Sequence, residues 1–135
     1  QMFNLPYHSV CTTSTHDMTP LRNWWKEDPE KTQRYYNHVL QRIGEAPDEC
    51  TAEIVAQIIS NHLKTRSMLT IIPLQDWFAM DDSIKRKDIE SERINVPANS
   101  THYWRYRMHI TLEQLLQADN LNNKIVSLIK EAGRK

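Results

Sequence analysis

Apolar residues along this chain follow two different patterns, and the order of those patterns is the first clue to its architecture. Two short runs have the length and composition of strands. Residues 7–13 combine small and β-branched side chains and stop at a polar loop, residues 14–19. Residues 68–74 form a continuous apolar run, Met-Leu-Thr-Ile-Ile-Pro-Leu. Such runs suit parallel strands buried on both faces. Pro73 cannot donate a ladder hydrogen bond, so the second strand should end there. The predicted strands are residues 9–13 and 69–72, and a long helical connection between them would make the pair parallel.

Elsewhere the apolar positions recur every three or four residues. Pro20 can open a helix carrying Leu21, Trp24 and Trp25. Asp28, Pro29 and Glu30 are a helix start, and Tyr35, Tyr36, Val39, Leu40 and Ile43 continue it to a stop at Gly44. A third helix is expected from Pro47-Asp48, with a stripe of Ala52, Val55, Ala56, Ile59 and Leu63 widened by Ile54 and Ile58. Residues 76–80 read as a short helical turn, and residues 81–92 as a charged, solvated loop or irregular helix. Thr111 and Gln114 form a capping box ahead of Leu112, Leu115 and Leu116. A final helix uses Leu121, Ile125, Leu128 and Ile129 and stops at Gly133. Strand, helices, strand, helices is the order of two consecutive β/α units, an α/β class that is mostly helical with two short parallel strands.

Composition narrows this further. At 135 residues the chain has the length of one domain but falls short of the roughly 200–250 residues of a complete (β/α) barrel. Basic and acidic residues number 17 each and are mixed along the chain, so neither nucleic acid nor an anionic membrane surface is an expected partner. A polymer ligand, if there is one, should be neutral. Cys11 and Cys50 lack CxxC spacing and read as reduced structural thiols of a cytoplasmic protein. The two glycines, Gly44 and Gly133, are too few for a hairpin-rich all-β fold.

Chemistry concentrates where the first strand ends. His16-Asp17 stands there, followed by Arg22, Trp24 and Trp25. A strand that delivers titratable side chains at its C-terminal end is how a (β/α) barrel builds an active site. Aromatic faces beside carboxylates suit carbohydrate, because rings stack while carboxylates take the hydroxyls. Two plainer readings stand beside this one: Asp17 as the cap of the next helix, and the tryptophans, like Tyr35 and Tyr36, as buried packing residues. Gln75 and Asp76 follow the second strand, where a local cap or a supporting role is expected. His8, Cys11, His16 and Asp17 do not make a metal site, since strand alternation puts His8 and Cys11 on opposite faces and no second ligand cluster exists. No metal or cofactor is expected.

Taken with Pro73-Leu-Gln-Asp-Trp77, Arg93-Ile-Asn-Val-Pro97 and Tyr103-Trp-Arg-Tyr-Arg107, the His16-Asp17 segment resembles the amylomaltase-type 4-α-glucanotransferases of glycoside hydrolase family 77. The likeness is greatest to plant-type disproportionating enzymes acting on maltose and branched glucans, and it runs from about Tyr7 to Gly133. It implies that residues 1–135 are a C-terminal fragment of a (β/α)8 (TIM-barrel) catalytic domain. The parent would move α-1,4-glucan segments between maltooligosaccharides by a retaining double displacement. The resemblance makes Asp17 the carboxylate that stabilises the transition state and His16 a ligand of the same sugar. Asn95 becomes a sugar contact on the loop after the last strand, or else a turn asparagine near proline. The nucleophile and the acid/base belong to earlier strands, preceding Gln1, so the fragment alone should be inactive. Met18 departs from the asparagine of many bacterial relatives, and residues 80–92 follow no pattern of the family. Trp104, Arg105 and Arg107 read as packing and ion-pair residues. A fragment of this kind is expected to be cytoplasmic, to meet glucan and no membrane, and to self-associate. The competing reading is a non-catalytic helical module that binds glucan or protein.

Overall fold

In the computed structural model, which describes residues 4–134, the two apolar runs form a pair of three-residue strands, β1 (Val10–Thr12) and β2 (Leu69–Ile71). They are parallel, with Val10 opposite Leu69, Cys11 opposite Thr70 and Thr12 opposite Ile71. Both are shorter than predicted. Only one side of the sheet is covered: Cys11 is buried, whereas Val10, Leu69 and Ile71 are about half exposed. Burial of the second run on both faces is therefore not met, because among the described residues neither strand has a further neighbour.

Three helices connect the strands: α1 (Leu21–Glu27), α2 (Pro29–His38) and α3 (Ala52–Leu63). After β2 come α4 (Leu74–Phe78), a 3-10 turn (Glu90–Glu92), α5 (Leu112–Leu116) and α6 (Asp119–Glu131). The start of α2 follows its sequence signal, with the Asp28 carboxylate accepting from the Lys31 N–H and Pro29 at the first turn. Its end does not. The helix stops at His38, because the Asn37 amide donates to the carbonyls of Arg42 (2.8 Å) and Gly44 (3.3 Å) and so supports a turn instead. Gln41 and Gly44 take positive φ in that turn, and Ile43 lies fully outside the core.

The third helix begins later than Pro47-Asp48 suggests. The Pro47 carbonyl is taken by the Trp25 indole N–H at 2.8 Å, and Thr51 is the cap, its hydroxyl accepting from the Ile54 N–H. From there α3 is the centre of the molecule. Ile54, Val55, Ile58, Ile59 and Leu63 are all buried, packed among Leu21, Trp25, Leu40, Phe78, Met80 and Leu121. Fully burying one such side chain contributes about 1.5–3 kcal/mol. The capping box at Thr111 and Gln114 forms as expected, although Leu112 and Leu116 face outward and only Leu115 meets the core. At the end of α6, Gly133 adopts the left-handed conformation (φ +69°), and Arg134 turns back to donate to the carbonyls of Leu63, Thr65 and Ser67. One guanidinium thus satisfies orphan carbonyls at the end of α3 and in the loop leading to β2.

Candidate active site at the strand ends

The loop after β1 makes a tight turn, with the Met18 N–H donating to the Thr15 carbonyl (3.1 Å) and the Asp17 N–H to the Thr15 hydroxyl (3.3 Å). This turn holds His16 and Asp17 at the surface, each side chain about half exposed. The His16 Nε2 lies 3.4 Å from Asp17 Oδ2. The other carboxylate oxygen is claimed by a residue 78 positions away: Asn95 Nδ2 donates to Asp17 Oδ1 at 2.6 Å. A second bond, from the Asn95 N–H to the His16 carbonyl (3.1 Å), locks the two segments together. Trp104 completes the group, its ring centroid 5.0 Å from that of His16 at a tilt of 46°.

The three predicted site residues, His16, Asp17 and Asn95, therefore meet at one place. Asp17 is not the cap of α1, which has no side-chain cap bond and follows Pro20. Trp25 is buried and Trp24 packs edge-on against Tyr35 (5.1 Å), so the tryptophans serve the core. Trp104 differs from the packing role read for it: it is 61% exposed and stands beside the site. Arg105 and Arg107 are exposed and, among the described residues, neither makes an ion pair.

Behind the exposed group lies a buried polar layer built by Gln75 and Asp76, at the start of α4 just beyond β2. Asp76 Oδ2 accepts from the Thr13 hydroxyl (2.5 Å) and the Ser14 hydroxyl (3.3 Å), and Oδ1 accepts from the Leu21 N–H (2.9 Å). It thereby holds the loop after β1 and the start of α1. Burial pushes its carboxyl above the ordinary range, and the hydrogen bonds from Thr13, Leu21 and Ser14 work in the opposite direction. Gln75 turns the other way and donates to the Glu92 carbonyl at 3.1 Å, fixing the turn that precedes Asn95. Two consecutive residues thus position both walls of the site, a supporting role of the kind the strand-end location predicts.

Glu92 corrects the reading of residues 81–92 as a solvated stretch. Its side chain is 2% exposed and 3.4 Å from the Arg22 guanidinium, which also donates to the Arg86 carbonyl at 2.6 Å. Burial raises the Glu92 carboxyl to about 7, with the neighbouring Arg22 cation pulling it down. Its Oε2 atom has no partner among the described residues, nor does Oδ1 of Asn23. Nothing in a run of mixed charges marks the one member that folds inward. Its partner leaves a fainter signal: Arg22 sits on the same short helix as Leu21 and Trp25 and is buried with them.

Several other acids are engaged elsewhere. Asp81 accepts from Ser83, Asp82 pairs with Lys85, and Glu27 accepts from Thr19. Cys50, raised to about 12 by burial, stays a neutral thiol. Among the described residues no group of three or more His, Cys, Asp or Glu is placed to hold a metal, and no helix is long and apolar enough to cross a membrane. What the arrangement offers is a fixed, solvent-facing carboxylate between an imidazole and a carboxamide, beside an exposed indole. That set can accept and donate hydrogen bonds to neighbouring hydroxyls of one ring while the indole covers its face.

The known proteins similar to this chain form a consistent group. The family model described as 4-alpha-glucanotransferase, of glycoside hydrolase family 77, matches residues 1–113. The 4-alpha-glucanotransferase DPE2 of rice is 39% identical over 128 residues, covering 95% of this chain and 14% of that protein. A 4-alpha-glucanotransferase of Chlamydia trachomatis is 31% identical over 123 residues, covering 89% of this chain and 22% of its own length. Among solved structures, the amylomaltase of Streptococcus agalactiae in complex with acarbose superposes with a TM-score of 0.72 at 18% identity. That match covers 98% of this chain and 23% of the other, and it shows that the fold is that of part of a TIM-barrel amylomaltase. The chain spans about one seventh to one quarter of the length of these relatives.

Proposed function

We propose, from the premise that this chain belongs to the 4-alpha-glucanotransferase family of glycoside hydrolase family 77, that it contributes the transition-state-binding corner of an enzyme transferring α-1,4-glucan segments. One observation carries the reading: Asp17 and Asn95, 78 residues apart, are joined at 2.6 Å on an open surface beside His16. A carboxylate oriented in this way at a strand end has little to do for the core.

In a retaining transfer, one carboxylate attacks the anomeric carbon while a second protonates the departing glycosidic oxygen, the two lying about 5–5.5 Å apart. The 4-hydroxyl of an acceptor glucan then displaces the enzyme. Asp17 accepts hydrogen bonds from hydroxyls of the distorted sugar, and these strengthen as positive charge develops on the ring. Asn95 holds the Asp17 carboxylate in one orientation and offers its own amide to the sugar, and His16 bonds the same ring. The nucleophile and acid/base come from segments outside residues 1–135, which form the C-terminal part of the barrel domain. Support for this lies in the small share of each relative that the chain spans, and in the commitment of Asp81 and Asp82 to local partners. The two buried free cysteines support a cytoplasmic setting. The half-exposed apolar residues of both strands support self-association of the chain when it stands alone.

Maltotriose separates the possibilities. The enzyme carrying this segment should release glucose and build longer oligomers from it, while residues 1–135 alone should do neither. Transfer by the isolated chain would show that the essential carboxylates have been misassigned. Glucan binding without transfer by the complete enzyme would leave a binding module.

A further inference from the structure

The segment beyond Asn95 folds back over residues 86–91 and encloses an open cavity of about 540 Å³. Four arginines line it, Arg86, Arg93, Arg105 and Arg107, against one carboxylate, Glu90. In a chain whose charges balance, this is a marked local excess of cations. Among the described residues none of the four has an ion-pair partner, whereas Arg22 and Arg42 each face a glutamate. Glu90 is itself occupied, its Oε1 accepting from the Asn23 amide at 3.0 Å.

Three of the four guanidinium groups, those of Arg86, Arg93 and Arg105, are held in place from within. Arg86 lies over the Tyr106 ring at 5.5 Å and donates to the carbonyls of Ser91 and Arg107, both at 2.9 Å. Arg93 donates to the Asn95 carbonyl (3.0 Å). Arg105 lies over the Tyr103 ring at 5.2 Å, and neither Arg105 nor Arg107 makes a side-chain hydrogen bond among the described residues. Stacking fixes the plane of a guanidinium while leaving its N–H edge free, which lowers the entropy lost on binding. The free edges of Arg105 and Arg107, backed by the positive charge of Arg86 and Arg93, match an anion with multiple charges and three terminal oxygens, a phosphate group. A volume of this order accommodates a sugar ring as well.

We propose that this cavity binds a phosphate dianion, as a monoester carried on a glucan or as the free anion in solution. The glucan as carrier rests on the function proposed above; the anion site does not. Continuity with the site favours the glucan, since the same segment places Trp104 against His16 and ties Arg93 to Asn95. A phosphorylated glucose in this cavity would belong to the chain whose other units reach Asp17.

Calorimetric titration of the enzyme carrying this segment tests both parts, with three probes: inorganic phosphate, maltoheptaose bearing one 6-phosphate, and unmodified maltoheptaose. Phosphate should bind, more weakly as salt rises, and should compete with the phosphorylated oligosaccharide. The double variant Arg105→Gln/Arg107→Gln, altered only at exposed positions, should bind phosphate at least about tenfold more weakly. A phosphorylated oligosaccharide that outbinds both other probes identifies the glucan as carrier, and equal binding of it and inorganic phosphate identifies the free anion. Absence of phosphate binding, or binding unchanged in a folded double variant, would overturn the proposal. Transfer on maltotriose without phosphate binding would reject the cavity and keep the transferase; phosphate binding without transfer would do the reverse.

Discussion

Asp17 is held tightly on one oxygen and openly on the other, which is what a carboxylate needs if it is to act on a ligand without wandering. Asn95 takes Oδ1, and Oδ2 faces His16 and solvent. In the complete enzyme Asp17→Asn should preserve shape while removing the charge that, on the function proposed above, meets the oxocarbenium. The expected loss is on the order of 10²–10³ in kcat, with KM changed much less. Steady-state kinetics on maltotriose decides it, and an unchanged kcat would remove Asp17 from the chemistry. Asn95→Ala should lower kcat less than Asp17→Asn does, since it frees the carboxylate without discharging it. Glu92 gives a separate test at this scale. A buried carboxyl raised to about 7 binds its proton more tightly in the folded chain than in the unfolded one, where about 4.3 is usual. The cost of ionising it is absent below that lower value, grows with rising pH, and is complete above about 7. The stability gained by Glu92→Gln over the parent should therefore grow between pH 4.5 and 7.5 and then level off. Urea midpoints measured across this range would contradict the burial argument if the difference shrank with pH.

At the scale of elements, local chemistry near the caps was well written in the sequence, and tertiary competition was not. Asp28, Thr111 and Gly133 each did what their residue types predict. Pro47 and Gly44 looked equally good as helix signals. Yet the Trp25 indole, 22 residues earlier, took the Pro47 carbonyl, and a side chain of α2 itself, Asn37, stopped that helix early by bonding the turn that follows it. The meeting of Asp17 with Asn95 was legible only through the likeness to a family, because no periodicity links positions so far apart. Glu92 was illegible for a related reason: burial of one charge in a charged run depends on Arg22, 70 residues earlier. Asp76 offers the sharpest element-level prediction. Replacing it by Ala leaves the Thr13 hydroxyl and the Leu21 N–H without their buried acceptor, at about 1–3 kcal/mol for each stranded group. Thr51→Ala, which removes only a cap, should cost about 1 kcal/mol. Chemical denaturation of the two variants should rank them in that order, and equal losses would mean that Asp76 is not the tie described here.

The molecule as a whole has a well-filled interior around α3 and an unfinished sheet beside it. Val10, Leu69 and Ile71 expose apolar area on strands that, among the described residues, pair with no further strand at their outer edges. Residues 1–135 in isolation should therefore associate as concentration rises, by pairing edges or covering that face. Light scattering that found only monomer at high concentration, with no dye-accessible apolar surface, would refute this. The adjacent pair Gln75 and Asp76 has a mechanical consequence of its own. Gln75 grips the jaw that carries Asn95, the next residue, Asp76, grips the jaw that carries Asp17, and both are rooted in one short helix. If that helix tilts or slides as neighbouring segments settle, the two jaws travel together and the opening between them keeps its width, as in a caliper carried from bench to bench. Transplanting the Asn95 loop from a relative should therefore succeed only when the residue that grips it from the helix travels with the graft.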